Sequence, residues 1–348
     1  MTKIIIISND KFYISKKKYF FNSNKNTFTI LNGFKNFRKL YFYCRYSKKK
    51  PKFGKKIPKN IKFINLKKLF FLLKNLKNFK IVIISLTPFN FMISLICKIL
   101  GVEKEKIFLF LRSDGFIEYK VKFGKIGYFF YGIMFYFLKN KTNILTCSKF
   151  LTGVSDSQLL FPSEINNEWL KNRKILNKIK TSNYKVRLLY IGRFRVEKGY
   201  LSLIDIFEKL KLKSSLHMVG NDYKYFKKKD YPKNLDLKIS GQIVKDKELI
   251  QCYDNCDIII LPSYVEAYPQ VILESLSRLR PVIIFDDINF LKKTFNFGLY
   301  NSARNAKSLA IVIKHIMKNY YKIQNTISKK KIFTQKKFFD EINKIFAG

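Results

Sequence analysis

Short apolar runs alternate along the chain with amphipathic stretches of helical period. The runs predict strands near residues 4–7, 40–44, 62–64, 81–85, 107–111 and 144–147, and then near residues 188–192, 216–219, 237–240, 258–261 and 282–285. A helical pattern follows each of the later runs, and this alternation favours parallel sheets with helices on both faces. We therefore predict an α/β protein with doubly wound domains.

A polar segment from residue 161 to about residue 185 interrupts the alternation and indicates a passage between two domains. The predicted boundaries are 1–165 for the first domain and 175–330 for the second, followed by a terminal segment, 331–348. Late helices are predicted over residues 307–320 and about 334–346. The chain has 348 residues, of which 47% are hydrophobic, and this is sufficient for two cores.

Two glutamates, Glu266 and Glu274, lie on either side of a predicted helix start. Pro269 suits the first position of that helix, because its missing N–H would have no partner there. Glu266 then lies in the loop after the apolar run 257–261, and Glu274 lies inside the helix. Carboxylates accept hydrogen bonds from sugar hydroxyls and a helix N-terminus favours phosphate, so a nucleotide sugar fits this junction. Taken alone, the pair also fits two solvated carboxylates.

A second motif lies upstream, where Gly192, Arg193, Lys198 and Gly199 follow an apolar strand and precede an amphipathic helix. Glycine lets the backbone approach phosphate closely, arginine can bind its oxygens in a bidentate manner, and lysine supplies a point charge. The order of residues therefore favours a diphosphate site. Without the glutamate motif it would also fit an ordinary turn.

In this order and spacing, the two motifs resemble the retaining glycosyltransferases of family 4, also called group 1 glycosyltransferases, over roughly residues 186–300. The resemblance implies the GT-B architecture, in which two Rossmann-like domains face a central cleft and the last helix packs back on the N-terminal domain. It implies that Arg193 and Lys198 hold the donor diphosphate. It also implies that Glu266 contacts the donor sugar as the main catalytic residue and that Glu274 contacts the ribose. The donor pocket implied by the family consists of Gly192, Gly220, Gly241, Tyr268, Pro269, Gln270 and Val271.

The chain departs from the family pattern at three places. Ala267 and Leu279 stand where the family usually has glycine, and such a replacement matters most where φ is positive. The glycine-rich loop that commonly follows the first strand is also missing, because the run 4–7 continues into a polar segment, 8–10. Without this loop, contacts from the N-terminal domain to the donor phosphates are not predicted.

Arg112 and Asp114 directly follow the apolar run 107–111. Open parallel sheets bind ligands outside the carboxyl ends of their strands, so both side chains are predicted to face the cleft. The family frequently has a polar residue near the place of Asp114, which implies that Asp114 orients the acceptor hydroxyl or accepts its proton. Arg112 would then hold an acceptor anion. Alternatively, Asp114 only caps the following helix.

The formal net charge is +45, from 69 Lys and Arg against 24 Asp and Glu. Lysine far outnumbers arginine, and the abundance of Asn, Ile, Phe and Tyr indicates that AT-rich codons contribute to the excess. The first 80 residues nevertheless contain 23 cationic side chains against the single acid Asp10. Lysine–aromatic runs at 16–21 and 48–56 favour an anionic membrane surface or a phosphorylated acceptor as partner. No nucleic-acid-binding signature accompanies them, so no nucleic acid is expected.

Neither a secretory signal nor a membrane span is predicted. The apolar stretch 81–100 is interrupted by Pro88, Asn90 and Lys98, and the aromatic run 128–138 is too short to span. We interpret that run as a buried helix, with an interfacial membrane helix as the alternative. The five cysteines, an odd number, favour a reducing compartment. We therefore expect a cytoplasmic protein, peripheral to the inner face of the plasma membrane.

Together, the motifs and their resemblance predict transfer of a sugar, with retention of configuration, from a nucleoside diphosphate sugar to a lipid-linked or polysaccharide acceptor in cell-surface glycan synthesis. No cofactor and no metal are predicted, since no Asp-x-Asp signature is present. An alternative is a non-catalytic basic protein on this fold that binds membrane or nucleic acid. A further alternative is a phosphorylase or epimerase that uses the same diphosphate site.

Overall fold

A computed structural model describes residues 2–15, 18–21, 25–48, 60–75, 78–153, 157–175, 184–221 and 236–347. The chain divides into two compact units, which are residues 1–164 with 334–348 (unit 1) and residues 165–333 (unit 2). Each unit contains a predominantly parallel sheet connected by helices. The prediction of an α/β protein with two such domains is confirmed.

Unit 1 contains a sheet in the order β4-β3-β1-β5-β6-β7-β8, in which all of these neighbours are parallel, while β2 pairs antiparallel with β1. Its strands are β1 (Lys3–Ser15), β2 (Lys18–Phe21), β3 (Leu40–Tyr46), β4 (Ile61–Phe63), β5 (Phe79–Ile84), β6 (Ile107–Leu111), β7 (Asn143–Thr146) and β8 (Gln158–Leu159). Its helices are α1 (Lys25–Gly33), α2 (Leu66–Asn75), α3 (Pro88–Ile99), α4 (Gly115–Lys139) and α12 (Gln335–Phe346). All five residues of β6 are buried, as expected for a strand of a covered parallel sheet.

Strand β1 is longer than the predicted run 4–7. Its register against β3 shifts between Ile7 and Lys11, and the strand then turns into a hairpin with β2. The hydroxyls of Ser8 and Thr27 both donate to the carboxylate of Asp10. A strand hairpin therefore occupies the place of the family's glycine-rich loop.

The C-terminal helix α12 belongs to unit 1 and packs against α1. The ring of Phe346 is fully buried, with its centroid 5.0 Å from that of Phe34 and 4.8 Å from that of Phe108. The last residues of the chain thus complete a core that begins at its N-terminus.

Unit 2 contains a parallel sheet in the order β11-β10-β9-β12-β13-β14. Its strands are β9 (Val186–Ile191), β10 (Ser214–Val219), β11 (Leu237–Ser240), β12 (Ile258–Leu261), β13 (Val282–Phe285) and β14 (Leu299–Ser302). Its helices are α5 (Asn167–Leu170), α6 (Tyr200–Glu208), α7 (Asp246–Asp254), α8 (Gln270–Ser277), α9 (Leu291–Thr294), α10 (Ala306–Lys318) and α11 (Tyr320–Ser328). The prediction omitted β14, because two of its four residues are polar and its apolar pattern is weak.

From residue 165 onward, the segment interpreted as an interdomain passage belongs to unit 2. Trp169 is fully buried in its core. The guanidinium of Arg278 donates to the carbonyl oxygens of Trp169 and Lys171, at 3.0 and 2.7 Å, and so fixes this segment to the end of α8.

The aromatic run 128–138 lies within α4. Tyr131, Phe135 and Leu138 are buried, but Phe129 and Tyr136 are exposed, so the prediction of a buried helix holds for one face only. Within the described ranges, no helix has both the length and the apolar character needed to cross a membrane. Of the lysine–aromatic runs at 16–21 and 48–56, all side chains except that of the exposed Lys48 lie outside the described residues.

Candidate functional site

The loops after β9 and β10 meet at two glycines. The N–H of Gly192 donates to the carbonyl of Val219 at 3.0 Å, and the N–H of Gly220 donates to that of Ser240 at 3.1 Å. A Cβ at Gly220 would overlap the carbonyl of Gly192. The third predicted pocket glycine, Gly241, directly follows β11. The predicted pocket glycines therefore lie at the carboxyl ends of adjacent strands, where parallel sheets bind ligands.

The two predicted phosphate-binding cations lie in the loop between β9 and α6. Arg193 is exposed, and its carbonyl accepts a 2.8 Å hydrogen bond from the hydroxyl of Tyr190. Burial, followed by the nearby charge of Glu266, raises the pKa of Tyr190, so this hydroxyl stays a donor. Lys198 ends a short 3₁₀ turn and is followed by Gly199, whose φ is +65°.

Gly199 brings the cation-bearing loop against the loop after β12. A Cβ at this position would overlap the carbonyl oxygen of Pro262, so only glycine fits both the backbone conformation and the space. The close approach brings Lys198 to Glu266, with 2.6 Å between Nζ and Oε1. Their side chains are only 19% and 12% exposed. The hydroxyl of Ser263 also donates to Oε1, at 2.8 Å.

Glu274 lies in the second turn of α8 and is 5% exposed. Its Oε2 accepts a 2.7 Å hydrogen bond from the hydroxyl of Tyr253, at the end of α7. Burial, with the charge of Glu274 as the next cause, raises the pKa of Tyr253 well above its usual value. Tyr253 is therefore a protonated donor that orients the Glu274 carboxylate, and the motif analysis had missed it.

The start of α8 differs by one residue from the prediction. Pro269 lies at the N-cap, with extended φ and ψ, and the helix begins at Gln270, followed by Val271. The ring of Tyr268 stacks on Phe295, with 5.0 Å between the centroids. The first turn of α8 thus lies next to the glutamate loop, as the motif required.

Arg304 is a further residue of this region that the motif analysis had missed. Its guanidinium donates to the carbonyl of Pro262 at 2.9 Å and to the hydroxyl of Ser202 at 2.8 Å, and it pairs with Asp287. Its Cζ lies 4.1 Å from the ring centroid of Tyr264. Arg304 therefore holds the glutamate loop against α6. The scarcity of arginine in this lysine-rich chain was the available signal.

The unit 1 candidates lie near the carboxyl end of β6. Nε of Arg112 is 3.3 Å from the hydroxyl of Ser85, and the guanidinium is partly exposed. Asp114 is buried and caps α4, accepting from the N–H of Ile117 at 3.1 Å and from the N–H and hydroxyl of Thr152 at 2.8 and 2.7 Å. Its contacts are those of the capping alternative, and its role as a proton acceptor remains an untested prediction.

Comparison with known proteins gives one family match. Residues 171–332 match the family model described as glycosyl transferases group 1. This segment covers nearly all of unit 2 and every predicted donor-binding residue. No curated protein matches the chain.

Solved structures are similar over almost the whole chain. A structure of Anabaena Alr3699/HepE in complex with UDP and glucose has a TM-score of 0.64 at 11% identity, with 99% of both chains covered. WaaG, a glycosyltransferase involved in lipopolysaccharide biosynthesis, has a TM-score of 0.64 at 14% identity, with 99% of this chain and 100% of that chain covered. The lipopolysaccharide outer core galactosyltransferase WaaB has a TM-score of 0.64 at 15% identity, with 99% of both chains covered. These similarities show the GT-B fold.

Proposed function

We propose that this chain, whose residues 171–332 match the group 1 glycosyltransferase family model, transfers a sugar from a nucleoside diphosphate sugar to a lipid-linked or polysaccharide acceptor with retention of configuration. The observation that carries the proposal is the approach of Lys198 to Glu266 beside the N-terminus of α8. A cation, a carboxylate and a helix N-terminus are the features that suit a diphosphate joined to a sugar.

In the proposed reaction, negative charge accumulates on the leaving diphosphate as the bond to the sugar breaks. Lys198 and the exposed Arg193 stabilise that charge where it develops, together with the first turn of α8. Glu266 contacts the sugar, whose ring becomes more positive in the transition state. Glu274, oriented by Tyr253, accepts a hydrogen bond from the ribose. Retention and independence of a metal are part of the proposal.

The acceptor is proposed to be membrane-proximal. The support is the cationic excess of the first 80 residues and the presence of two lipopolysaccharide enzymes among the similar structures. On this proposal the protein acts in cell-surface glycan synthesis at the inner face of the plasma membrane.

A donor panel tests the proposal. A ligand that binds only the folded protein stabilises it by about 2.7 kcal/mol at 100 times its dissociation constant, so thermal unfolding with UDP-, GDP- and ADP-sugars identifies the donor. We expect one nucleotide to stabilise the protein, and Arg193→Ala or Lys198→Ala to reduce that effect. Lys209→Ala, which removes an exposed lysine after α6, is the matched control.

Product analysis with the stabilising donor then tests the chemistry. NMR of the anomeric proton distinguishes retention from inversion, and the same assay with a chelator tests independence of a metal. Stabilisation by every anion alike, inorganic pyrophosphate included, would favour the non-catalytic alternative. Formation of a sugar phosphate or of an epimerised donor would favour a phosphorylase or an epimerase.

A further inference from the structure

Helix α4 folds back on itself. At Gly124, φ is 66° and ψ is −155°, which breaks the helix into residues 115–123 and 125–139. A Cβ at Gly127 would overlap the carbonyl of Tyr119, although eight residues of straight helix would separate the two positions by about 12 Å. We refer to residues 115–139 as the α4 hairpin.

Aromatic packing holds the two arms of the hairpin together. The ring centroid of Phe116 lies 5.1 Å from that of Tyr128, 5.0 Å from that of Tyr131 and 5.3 Å from that of Phe135. Pairs of this geometry are worth about 0.5–1.5 kcal/mol each beyond the area that they bury. The hairpin is therefore an ordered element with its own small core.

The outside of the hairpin is apolar and exposed. Ile126, Phe129 and Phe123 are 82%, 70% and 63% exposed, and they lie at or next to the turn. Exposed large side chains elsewhere on the hairpin are Ile117, Val121, Tyr128, Phe130, Ile133, Tyr136 and Phe137. Single exposed apolar residues are ordinary, but ten on one element form the kind of surface that marks an interaction site.

The charges around this surface are cationic. Lys120, Lys122 and Lys125 lie at the turn, where the acid nearest in sequence, Glu118, pairs with Lys122. At the other end of the second arm, Nζ of Lys141 lies 3.8 Å from the ring centroid of Phe137. Aromatic side chains flanked by lysines match the interfacial region of a bilayer, where rings enter below the headgroups and ammonium groups reach anionic phosphates.

We propose that the α4 hairpin docks on an anionic lipid bilayer by inserting Phe123, Ile126 and Phe129 into its interface. The hairpin begins directly after β6, at the carboxyl end of the unit 1 sheet, where ligands bind. Docking would therefore hold that edge of the sheet at the lipid surface. A lipid-linked acceptor would then be close to that edge, and this consequence rests on the proposed function, whereas the docking itself does not.

A matched pair of double variants of the full-length protein tests the docking. Phe123→Ser with Ile126→Ser removes two hairpin side chains, and Phe71→Ser with Ile311→Ser removes a phenylalanine and an isoleucine exposed elsewhere. Both keep every lysine, so nonspecific adsorption of a +45 protein affects them equally. With vesicles of phosphatidylcholine and about one third phosphatidylglycerol, we expect the hairpin variant to bind about 100-fold more weakly and the control to bind as the parent does. Equal binding of the two variants overturns the proposal.

Insertion depth separates docking from surface adsorption. Trp169 is the single tryptophan and is buried in unit 2, so it supplies a constant background for Ile126→Trp. We expect the new indole to shift to the blue on vesicles and to be quenched by brominated acyl chains, unlike that of Ile311→Trp. An indole at 126 that is not quenched overturns the proposal. A dimer that forms without lipid and is abolished in the hairpin variant also overturns the proposal, because the hairpin would then bind a second copy of the chain. Donor stabilisation by nucleotide sugars is read separately, so failure of one proposal is distinguishable from failure of the other.

Discussion

The ion pair of Lys198 and Glu266 joins two residues to which the family pattern assigns different substrate groups. At 2.6 Å and largely buried, the carboxylate neutralises the ammonium in this state. Such a pair gains little net stability, since removal of both charges from water offsets their attraction. Its value would lie in holding both groups at the proposed binding position of the diphosphate sugar.

Glu266→Gln should separate the two roles. We expect turnover to fall, because the glutamine of the variant interacts less strongly with the sugar in the transition state. The affinity for the nucleoside diphosphate product should stay equal or increase, because Lys198 is no longer neutralised. Steady-state kinetics and calorimetric binding of the diphosphate measure the two effects. Glu248→Gln, which breaks the exposed pair with Lys245 on α7, is the control. A parallel loss of diphosphate affinity would contradict the assigned roles.

Tyr253 and Glu274 form a buried hydrogen bond whose acceptor is predicted to contact the ribose. Tyr253→Phe should lower the free energy of unfolding by about 1.5–3 kcal/mol, because it removes a bond to a charged group. It should also raise the donor KM with little change in kcat, since only the orientation of Glu274 is lost.

The control for this change is Tyr320→Phe. The hydroxyl of Tyr320 donates to the backbone carbonyl of Asp257 at 2.7 Å and is likewise buried. Its loss should reduce stability, measured by denaturant unfolding, without raising KM. A raised KM in both variants would mean that general loosening of unit 2 explains the effect.

Leu279 occupies a position where the family usually has glycine, and its φ is +61° although its side chain is buried. A left-handed conformation costs a non-glycine residue about 1–2 kcal/mol. Leu279→Ala should therefore be less stable than Leu279→Gly by about 1 kcal/mol, because both lose the side chain and only alanine keeps the strain.

At Leu276, a buried position inside α8, the order should be the reverse. Alanine is favoured over glycine in a helix by about 1 kcal/mol, so Leu276→Gly should be the less stable variant there. Urea denaturation of the four variants provides the comparison. The same order at both positions would show that strain at residue 279 has been relieved in solution.

At the scale of elements, the donor region depends on how closely the loops after β9 and β12 approach. Gly199 permits this approach, because a Cβ would overlap the carbonyl of Pro262. The cation and the carboxylate of the proposed site lie on these two loops. Their separation is therefore set by one backbone contact.

Gly199→Ala should strongly weaken donor binding, because it pushes Lys198 away from Glu266. Gly101→Ala is the matched control, since Gly101 also has a positive φ but no atom within 4 Å of the added Cβ. The control should lose about 1 kcal/mol of stability and keep donor binding. Thermal unfolding with and without the donor measures both quantities. Equal donor binding by the two variants would show that the loop approach is not required.

At the scale of the whole molecule, the chain returns to unit 1 through α12. A fragment that ends near residue 165 therefore lacks part of its own core, including Phe346. Tests of unit 1 need the full chain for this reason.

Phe346→Ala should destabilise unit 1 by about 3–5 kcal/mol, because it leaves a cavity among aromatic rings. Far-UV ellipticity follows both units, whereas the fluorescence of Trp169 follows unit 2. We expect a lower midpoint for part of the ellipticity change and an unchanged midpoint for Trp169. A decrease of the same size in the midpoint of the Trp169 transition would contradict the division into two units with separate cores.

The sequence by itself determined the fold class and the local motifs of unit 2. An apolar strand, a glycine-bearing loop and a helix start lie within a short stretch of chain, so their order can be recognised from period and residue type. Gly192, Lys198, Glu266 and Glu274 were predicted in this way. Helix boundaries were less secure, as the shift of Pro269 to the N-cap illustrates.

Only the tertiary structure decided which distant groups meet. Lys198 and Glu266 are 68 positions apart, and Arg304 reaches Ser202 from 102 positions away, because a parallel sheet gathers the ends of strands that are remote in sequence. The Tyr253–Glu274 bond and the place of α12 in unit 1 likewise depend on tertiary packing. The fold of α4 at Gly124 depends on packing between its two arms, which periodicity alone does not reveal.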